Sequence, residues 1–278
     1  MTDVNAAFVR DLVGRGLERR EAMWLVEEFS PGADADAARA VELAGTRRLA
    51  GEPLQYVIGH WPFRTLDLDV DLRVLIPRPE TEELVSLALK ALVSSQATSP
   101  LVFDMGCGSG AIGLSILSEL AERGISATVV AVDSSIDALD VARRNAIKHA
   151  LHAVSFVNSS WFKDLDPSLQ GHVDLVVSNP PYVGESEFEA LDPVLRHEPY
   201  GALVSPSSSG VEGFKDLEIV VRESINWLRP GGSLVCEHGS TQADAVVQLA
   251  TSTGYANVVD VADMAGNARV LIARKPLT

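Results

Sequence analysis

Along the first fifty positions hydrophobic residues recur at helical spacing. Leu12, Leu17, Met23, Trp24, Leu25, Val26 and Phe29 stand among charged residues, and Pro31-Gly32 interrupts the pattern. Asp34 or Asp36 is placed to cap a further helix through Ala37, Ala40, Val41, Leu43 and Ala44, which closes near Gly51-Glu52-Pro53. From Phe63 the period shortens to two. Leu66, Leu68, Val70, Leu72 and Val74 alternate with Asp67, Asp69, Asp71 and Arg73, the pattern of a half-buried strand or hairpin arm. Pro79, followed by Glu80, Glu82 and Glu83, suits the first turn of a helix, where proline fits and the dipole favours negative charge. Leu84, Leu87, Ala88 and Ala91 extend that helix.

After Pro100 the chain alternates strand and helix. Strands are predicted over Leu101–Met105, Thr128–Asp133, Val154–Asn158, Val173–Ser178 and Ser233–Glu237. Helices fit over Ala111–Arg123, with Gly124 as C-cap, over Ser135–His149 and over Gly213–Leu228. Apolar strands separated by helices predict a doubly wound, mainly parallel sheet. Asn257–Ala262 and Arg269–Arg274 are too close for a crossover helix and should pair antiparallel at the sheet edge. The chain therefore divides into a small helical N-terminal domain (1–55), a β-hairpin linker (56–78) and an α/β domain (79–278).

Charge narrows the partners. Of 278 residues, 38 are acidic and 23 basic, a net charge of −15 that repels phosphate backbones, so no direct nucleic-acid partner is expected. Two cysteines cannot build a disulfide framework, and the six histidines show no metal-ligand spacing, so no metal is expected. The N-terminal stretch carries acids without an uninterrupted apolar run. No segment approaches the ~18–20 apolar residues of a membrane span. A soluble, cytoplasmic protein without a membrane partner is the expectation.

The chemistry begins at Asp104-Met105-Gly106-Cys107-Gly108-Ser109-Gly110-Ala111-Ile112-Gly113. Glycines at 106, 108 and 110 let the chain turn sharply and let a ligand approach the start of the next helix. Asp133 closes the following strand, placed to accept hydrogen bonds from ribose hydroxyls. A nucleoside-containing ligand follows. Gly108-x-Gly110-x-x-Gly113 matches the dinucleotide fingerprint, while Gly106-x-Gly108-x-Gly110 fits the loop of S-adenosylmethionine methyltransferases equally well. The loop leaves both open.

The fourth strand runs straight into Asn179-Pro180-Pro181-Tyr182, facing the same crevice. Two prolines stiffen the backbone and remove two N–H donors. What remains is a rigid pair of acceptors, the Asn179 side-chain oxygen and the Pro180 carbonyl, beside the aromatic face of Tyr182. This arrangement suits methylation of a planar nitrogen whose lone pair is delocalised. Accepting both of its N–H groups orients it and stabilises the positive charge that develops on transfer.

Through these and further motifs the sequence resembles the peptide chain release factor N5-glutamine methyltransferases, the HemK/PrmC type. The resemblance rests on Gly51-x-Pro53-x-Gln55-Tyr56 with Gly59, on Leu75-Ile76-Pro77-Arg78-Pro79-Glu80-Thr81-Glu82, on the glycine loop, and on Asp133 and Asn179–Tyr182. It continues through Glu198-Pro199, Gly231-Gly232, Glu237-x-Gly239 with Gln242, and Asp263-x-Ala265-Gly266 before Arg269. It implies a Rossmann-like class I S-adenosylmethionine methyltransferase fold and methylation of the glutamine in the Gly-Gly-Gln motif of class I release factors. It further implies a cofactor site of Gly106, Cys107, Gly108, Ser109, Gly110, Asp133, Trp161 and Asn179. Asn179, Pro180, Pro181 and Tyr182 would hold the substrate glutamine, with Asn179, Pro180 and Tyr182 as the catalytic set. The helical N-terminal domain would recognise the partner protein. The family often has an acid where this chain has Ser160, and more commonly threonine at Cys107. Roles for Arg78, Glu80, Asp104 and Glu237 stay open, Glu237 either reaching the crevice or capping the sheet edge.

Other activities share these features. Methylation of a ribosomal-protein glutamine or of a nucleic-acid amino group uses similar chemistry. A nicotinamide-dependent oxidoreductase shares the glycine pattern, and a non-catalytic nucleoside-binding module would need no Asn179.

Overall fold

The computed structural model describes residues 3–30 and 35–278, so the Pro31-Gly32 break and capping by Asp34 lie outside the described residues. Helices α1 (Asp3–Gly14), α2 (Arg19–Phe29), α3 (Ala35–Leu49) and α4 (Leu54–Ile58) pack around their own apolar centre. Leu12, Leu25, Val26 and Val41 are almost wholly buried there. Arg48 of α3 holds Glu21 of α2 at 2.9 Å. Asp36 lies in the first turn of α3 rather than at its cap.

Strands β1 (His60–Phe63) and β2 (Leu66–Asp69) form an antiparallel hairpin whose Phe63, Leu66 and Leu68 enter the main core. The alternation predicted through Val74 does not persist as strand. Val70 donates one last bond to Gly59, and then the Asp71 carboxylate accepts the Arg73 backbone N–H at 3.1 Å. That local bond closes a turn in place of the ladder and leaves Leu72 57% exposed.

Helix α5 (Pro79–Ser94) leads into the α/β region: β3 (Leu101–Met105), α6 (Ala111–Glu122), β4 (Thr128–Asp133), α7 (Ile136–Lys148), β5 (Val154–Asn158) and β6 (Val173–Ser178). The short helix α8 (Tyr200–Leu203) lies in the long connection to α9 (Lys215–Trp227) and β7 (Leu228–Glu237); α10 (Ala243–Thr253), β8 (Ala256–Ala262) and β9 (Ala268–Arg274) follow. Among the described residues, seven strands make one sheet in the order β5-β4-β3-β6-β7-β9-β8. The first five run parallel; β9 pairs antiparallel with both β7 and β8. Alternate residues of β3 feed opposite faces, Val102 towards α5, α6 and α7, and Phe103 towards α9 and α10.

Beyond the shortened hairpin arm, β7 and α10 also differ from the sequence expectation. β7 begins at Leu228, directly after α9, and absorbs Arg229–Gly232 through a register shift opposite Val173/Leu175 of β6. Helix α10 is an addition to the predicted set. Its Val246 and Ala250 recur at helical spacing and are fully buried, but the stripe is short and follows a glycine turn. Among the described residues no helix is long and apolar enough to cross a membrane.

Strand order reverses at β3, with β4 on one side and β6 on the other. The carboxyl ends of these strands therefore open a crevice at the switch point, where open α/β sheets bind ligands.

Candidate active site

The glycine loop leaves β3 with Gly106 and Gly108 at φ +72° and +53°, a region that side-chain-bearing residues rarely adopt. The N–H groups of Gly106 and Cys107 both donate to the Val132 carbonyl, at 2.8 and 2.9 Å, and pin the loop to β4. Behind the loop, the Gly113 N–H donates to Asp104 Oδ2 at 2.8 Å, and a Cβ at 113 would meet that same oxygen. Gly113 thus serves close packing of α6 on β3. Asp104 Oδ1 has no hydrogen-bond partner among the described residues, and burial pushes this carboxyl up to about 7.

A cavity of about 420 Å³ opens in front of the loop. Gly106, Gly108, Asp133, Trp161 and Asn179 line it, roofed by Arg73–Leu75 on one side and by Pro199, Gly201 and Ala202 on the other. Cys107, Ser109 and Gly110 shape the loop from behind. Cys107 and Ser109 are buried, the Ser109 carbonyl accepts Asn145 Nδ2 at 2.9 Å, and Gly110 packs on Leu114 and Ala142. Asp133 takes the Gly108 and Ser135 N–H groups at 2.9 Å each, one on each oxygen. Burial still raises its pKa against those two bonds. Each oxygen keeps a lone pair for a hydroxyl donor.

Trp161 sits at φ +53°, and its indole N–H donates to Asp216 Oδ1 at 2.9 Å. Its ring edge lies 3.6 Å from where a Gly106 Cβ would stand. Indole and loop therefore enclose the cavity together, and Ser160 lines it beside them.

The Asn179–Tyr182 segment forms the partition to a second cavity of about 250 Å³. Leu75, Arg78, Pro180, Tyr182, Leu195 and Leu203 are among its walls. Asn179 and Pro181 border both cavities, so the two meet at the end of β6. Asn179 Nδ2 donates to Thr81 Oγ1 at 3.1 Å, which turns the amide oxygen away from α5. Thr81 donates in turn to Glu237 Oε2 at 2.8 Å, and the Tyr182 hydroxyl donates to Glu237 Oε1 at 3.4 Å. Glu237 lines neither cavity and lies buried behind them, bonded to Thr81 and Tyr182; burial pushes its carboxyl up to about 7, against the hydrogen bonds of Thr81 and Tyr182 and the nearby Arg269 charge. The Arg269 guanidinium stands 6.0 Å from the centre of the Tyr182 ring.

The backbone of the segment is clamped as well. Gln242 Nε2 donates to the Tyr182 carbonyl at 3.1 Å, and a Cβ on Gly213 would lie 2.1 Å from that oxygen. Arg78 pairs with Glu198, whereas Glu80 is exposed at the start of α5. Sequence pattern does not single out Thr81 or Asp216. Thr81 lies within the Pro-Arg-Pro-Glu-Thr-Glu stretch, where helix-start chemistry masks it; Asp216 carries no local signal beyond an acid in a first helical turn.

The comparisons with known proteins agree with this geometry. A family model described as a methyltransferase domain matches residues 100–271. The release factor glutamine methyltransferase of Burkholderia pseudomallei is 43% identical over 86% of this chain and 82% of its own length. That of Xylella fastidiosa is 39% identical over 91% and 87%. Among solved structures, a methyltransferase from Pyrococcus furiosus superposes with a TM-score of 0.53 at 18% identity, over 86% of this chain and 99% of that one, and shares the fold. The nicotinamide reading of the glycine loop is thereby set aside: the chain belongs to the release factor glutamine methyltransferase family.

Proposed function

We propose that this protein transfers a methyl group from S-adenosylmethionine to the side-chain amide nitrogen of the glutamine in the Gly-Gly-Gln motif of class I release factors, in the cytoplasm. The observation that carries the reading is the meeting of two cavities at Asn179, one walled by the glycine loop, Asp133 and Trp161 and the other by Pro180 and Tyr182. The residues fit the cofactor. Gly106 and Gly108 expose backbone to it, Asp133 offers acceptors to ribose hydroxyls, and Trp161 provides an aromatic wall. When bound, S-adenosylmethionine supplies a methyl group made electrophilic by its sulfonium.

The chain's own residues then prepare the nucleophile. The Asn179 oxygen and the Pro180 carbonyl accept the two N–H groups of the substrate amide and hold its nitrogen towards the first cavity. Both acceptors strengthen as positive charge develops on that nitrogen, and the Pro-Pro backbone keeps them from reorganising. Tyr182 packs the planar amide from the side. The N-terminal helices, with a core of their own, are the part we assign to holding the release factor.

The test is methyl transfer from labelled cofactor to a purified class I release factor. Transfer should require both the Gly-Gly-Gln glutamine and Asn179, with Asn179→Ala lowering kcat by about 10²–10³, the range for losing one preorganised polar group. Label that survives replacement of that glutamine would refute the substrate, and full turnover by Asn179→Ala would refute the site.

A further inference from the structure

We infer that Thr81 and Glu237 are positioning residues that set which end of the Asn179 amide faces the substrate. Their role rests on the reaction proposed above and adds two residues to it.

An asparagine amide is nearly symmetric in shape but opposite in chemistry at its two ends, an acceptor oxygen and a donor NH₂. Only the oxygen can accept an N–H of the substrate amide. The choice is made behind Asn179 by one proton. The Thr81 hydroxyl has a single hydrogen, and the carboxylate at 2.8 Å is an acceptor only, so that hydrogen points to Glu237. Thr81 Oγ1 then has only lone pairs to offer Asn179, 3.1 Å away, and the NH₂ end must turn to it. A flipped amide would set oxygen against oxygen. Thr81 is 4% and Glu237 1% exposed, so water does not scramble the chain of donors.

The same logic makes the orientation depend on the charge of Glu237. Protonated, this carboxyl can donate to Thr81, which releases the hydroxyl hydrogen towards Asn179 and favours the flipped amide. The groups around Glu237 are Glu80 and Thr81 of α5, Tyr182 after β6 and Arg269 of β9. His238, the residue just past β7, is occupied by Asp260 of β8 at 2.6 Å. Burial, joined by Glu80, opposes the charged form of Glu237, while Thr81, Arg269 and Tyr182 favour it. Glu237 is therefore pushed up to about 7.

Two measurements test the relay. In the enzyme alone, the ¹H–¹⁵N signals of the Asn179 side-chain amide, assigned by their loss in Asn179→Asp, should shift between pH 5.5 and 8.5. The shift should vanish in Glu237→Gln and in Thr81→Val. On the release factor, Glu237→Gln and Thr81→Val should lower kcat about 10–100-fold with cofactor affinity within threefold, and Thr81→Ser should recover most of the loss. The acid limb of the wild-type kcat profile near pH 7 should be absent in Glu237→Gln. An Asn179 signal that does not titrate, or a Thr81→Val enzyme with wild-type kcat, overturns the inference. The amide signal is read without substrate, so its outcome stands even where the release factor proves to be the wrong substrate.

Discussion

Glu198 accepts the backbone N–H of Ile76 at 3.0 Å and pairs with the Arg78 guanidinium, joining segments 122 residues apart in sequence. The bond ties together the two sides of the roof, since Arg73–Leu75 precede Ile76 and Pro199–Ala202 follow Glu198 along the cavity wall. Glu198 is only 5% and Ile76 2% exposed, so the Ile76 N–H lacks water as a substitute, whereas the Arg78 side chain keeps part of its surface in solvent. The roof is one hydrogen-bonded unit made from the linker and the long connection after β6.

Glu198→Ala should loosen that unit. It leaves a buried N–H unpaired, a loss of about 1–3 kcal/mol, or roughly 2–10 °C in Tm for a chain of this size. KM for cofactor and for release factor should both rise, because both cavities lose a wall. Thermal melts and separate titrations of the two substrates check it; an unchanged Tm with normal KM values would contradict the clamp.

Asp216 holds the indole of Trp161 through one bond, on a residue whose backbone already sits at φ +53°. Asp216→Ala should free the ring and weaken cofactor binding about 5–20-fold, part of the roughly 1.5–3 kcal/mol that a hydrogen bond to a charged group contributes. Turnover at saturating cofactor should stay near wild type, and Asp216→Asn, which keeps an acceptor, should bind nearly normally. Calorimetric titration with cofactor decides it.

His60 clasps the N-terminal helices to the hairpin, with Nε2 3.2 Å from Glu28 of α2 and Nδ1 2.6 Å from Asp67 of β2. Burial alone would lower its pKa, but the hydrogen bonds of Asp67 and Glu28 outweigh it and the pKa is raised. A raised basic pKa means stability that is complete below the ordinary value near 6.5 and is lost as pH climbs through the raised one. Asp104 and Glu237, pushed up to about 7, also lose stability with rising pH, but from their ordinary range near 4 upward. The His60 part is isolated by His60→Gln. The wild-type advantage over this variant should be largest at pH 5.5 and shrink by pH 8.5 in denaturant titrations; an advantage that grows with pH would reverse the assignment.

Local pattern carries far in this chain. The parallel strands, their helices and the antiparallel terminal pair are legible because a buried strand needs an unbroken apolar run and a surface helix needs a stripe. The glycine loop and Asn179-Pro180-Pro181-Tyr182 are legible because few residue types fit a left-handed turn or lack an N–H. Where side chains compete with the backbone the pattern misleads, as at Asp71, whose carboxylate ends the strand that the spacing of Leu72 and Val74 extends. The partnerships of Thr81 with Glu237, of Trp161 with Asp216 and of Glu198 with Ile76 are decided by the fold alone. Each joins residues between 55 and 156 positions apart, and a hydrogen bond needs its two atoms within about 3 Å, a condition that only the packed sheet and its helices impose.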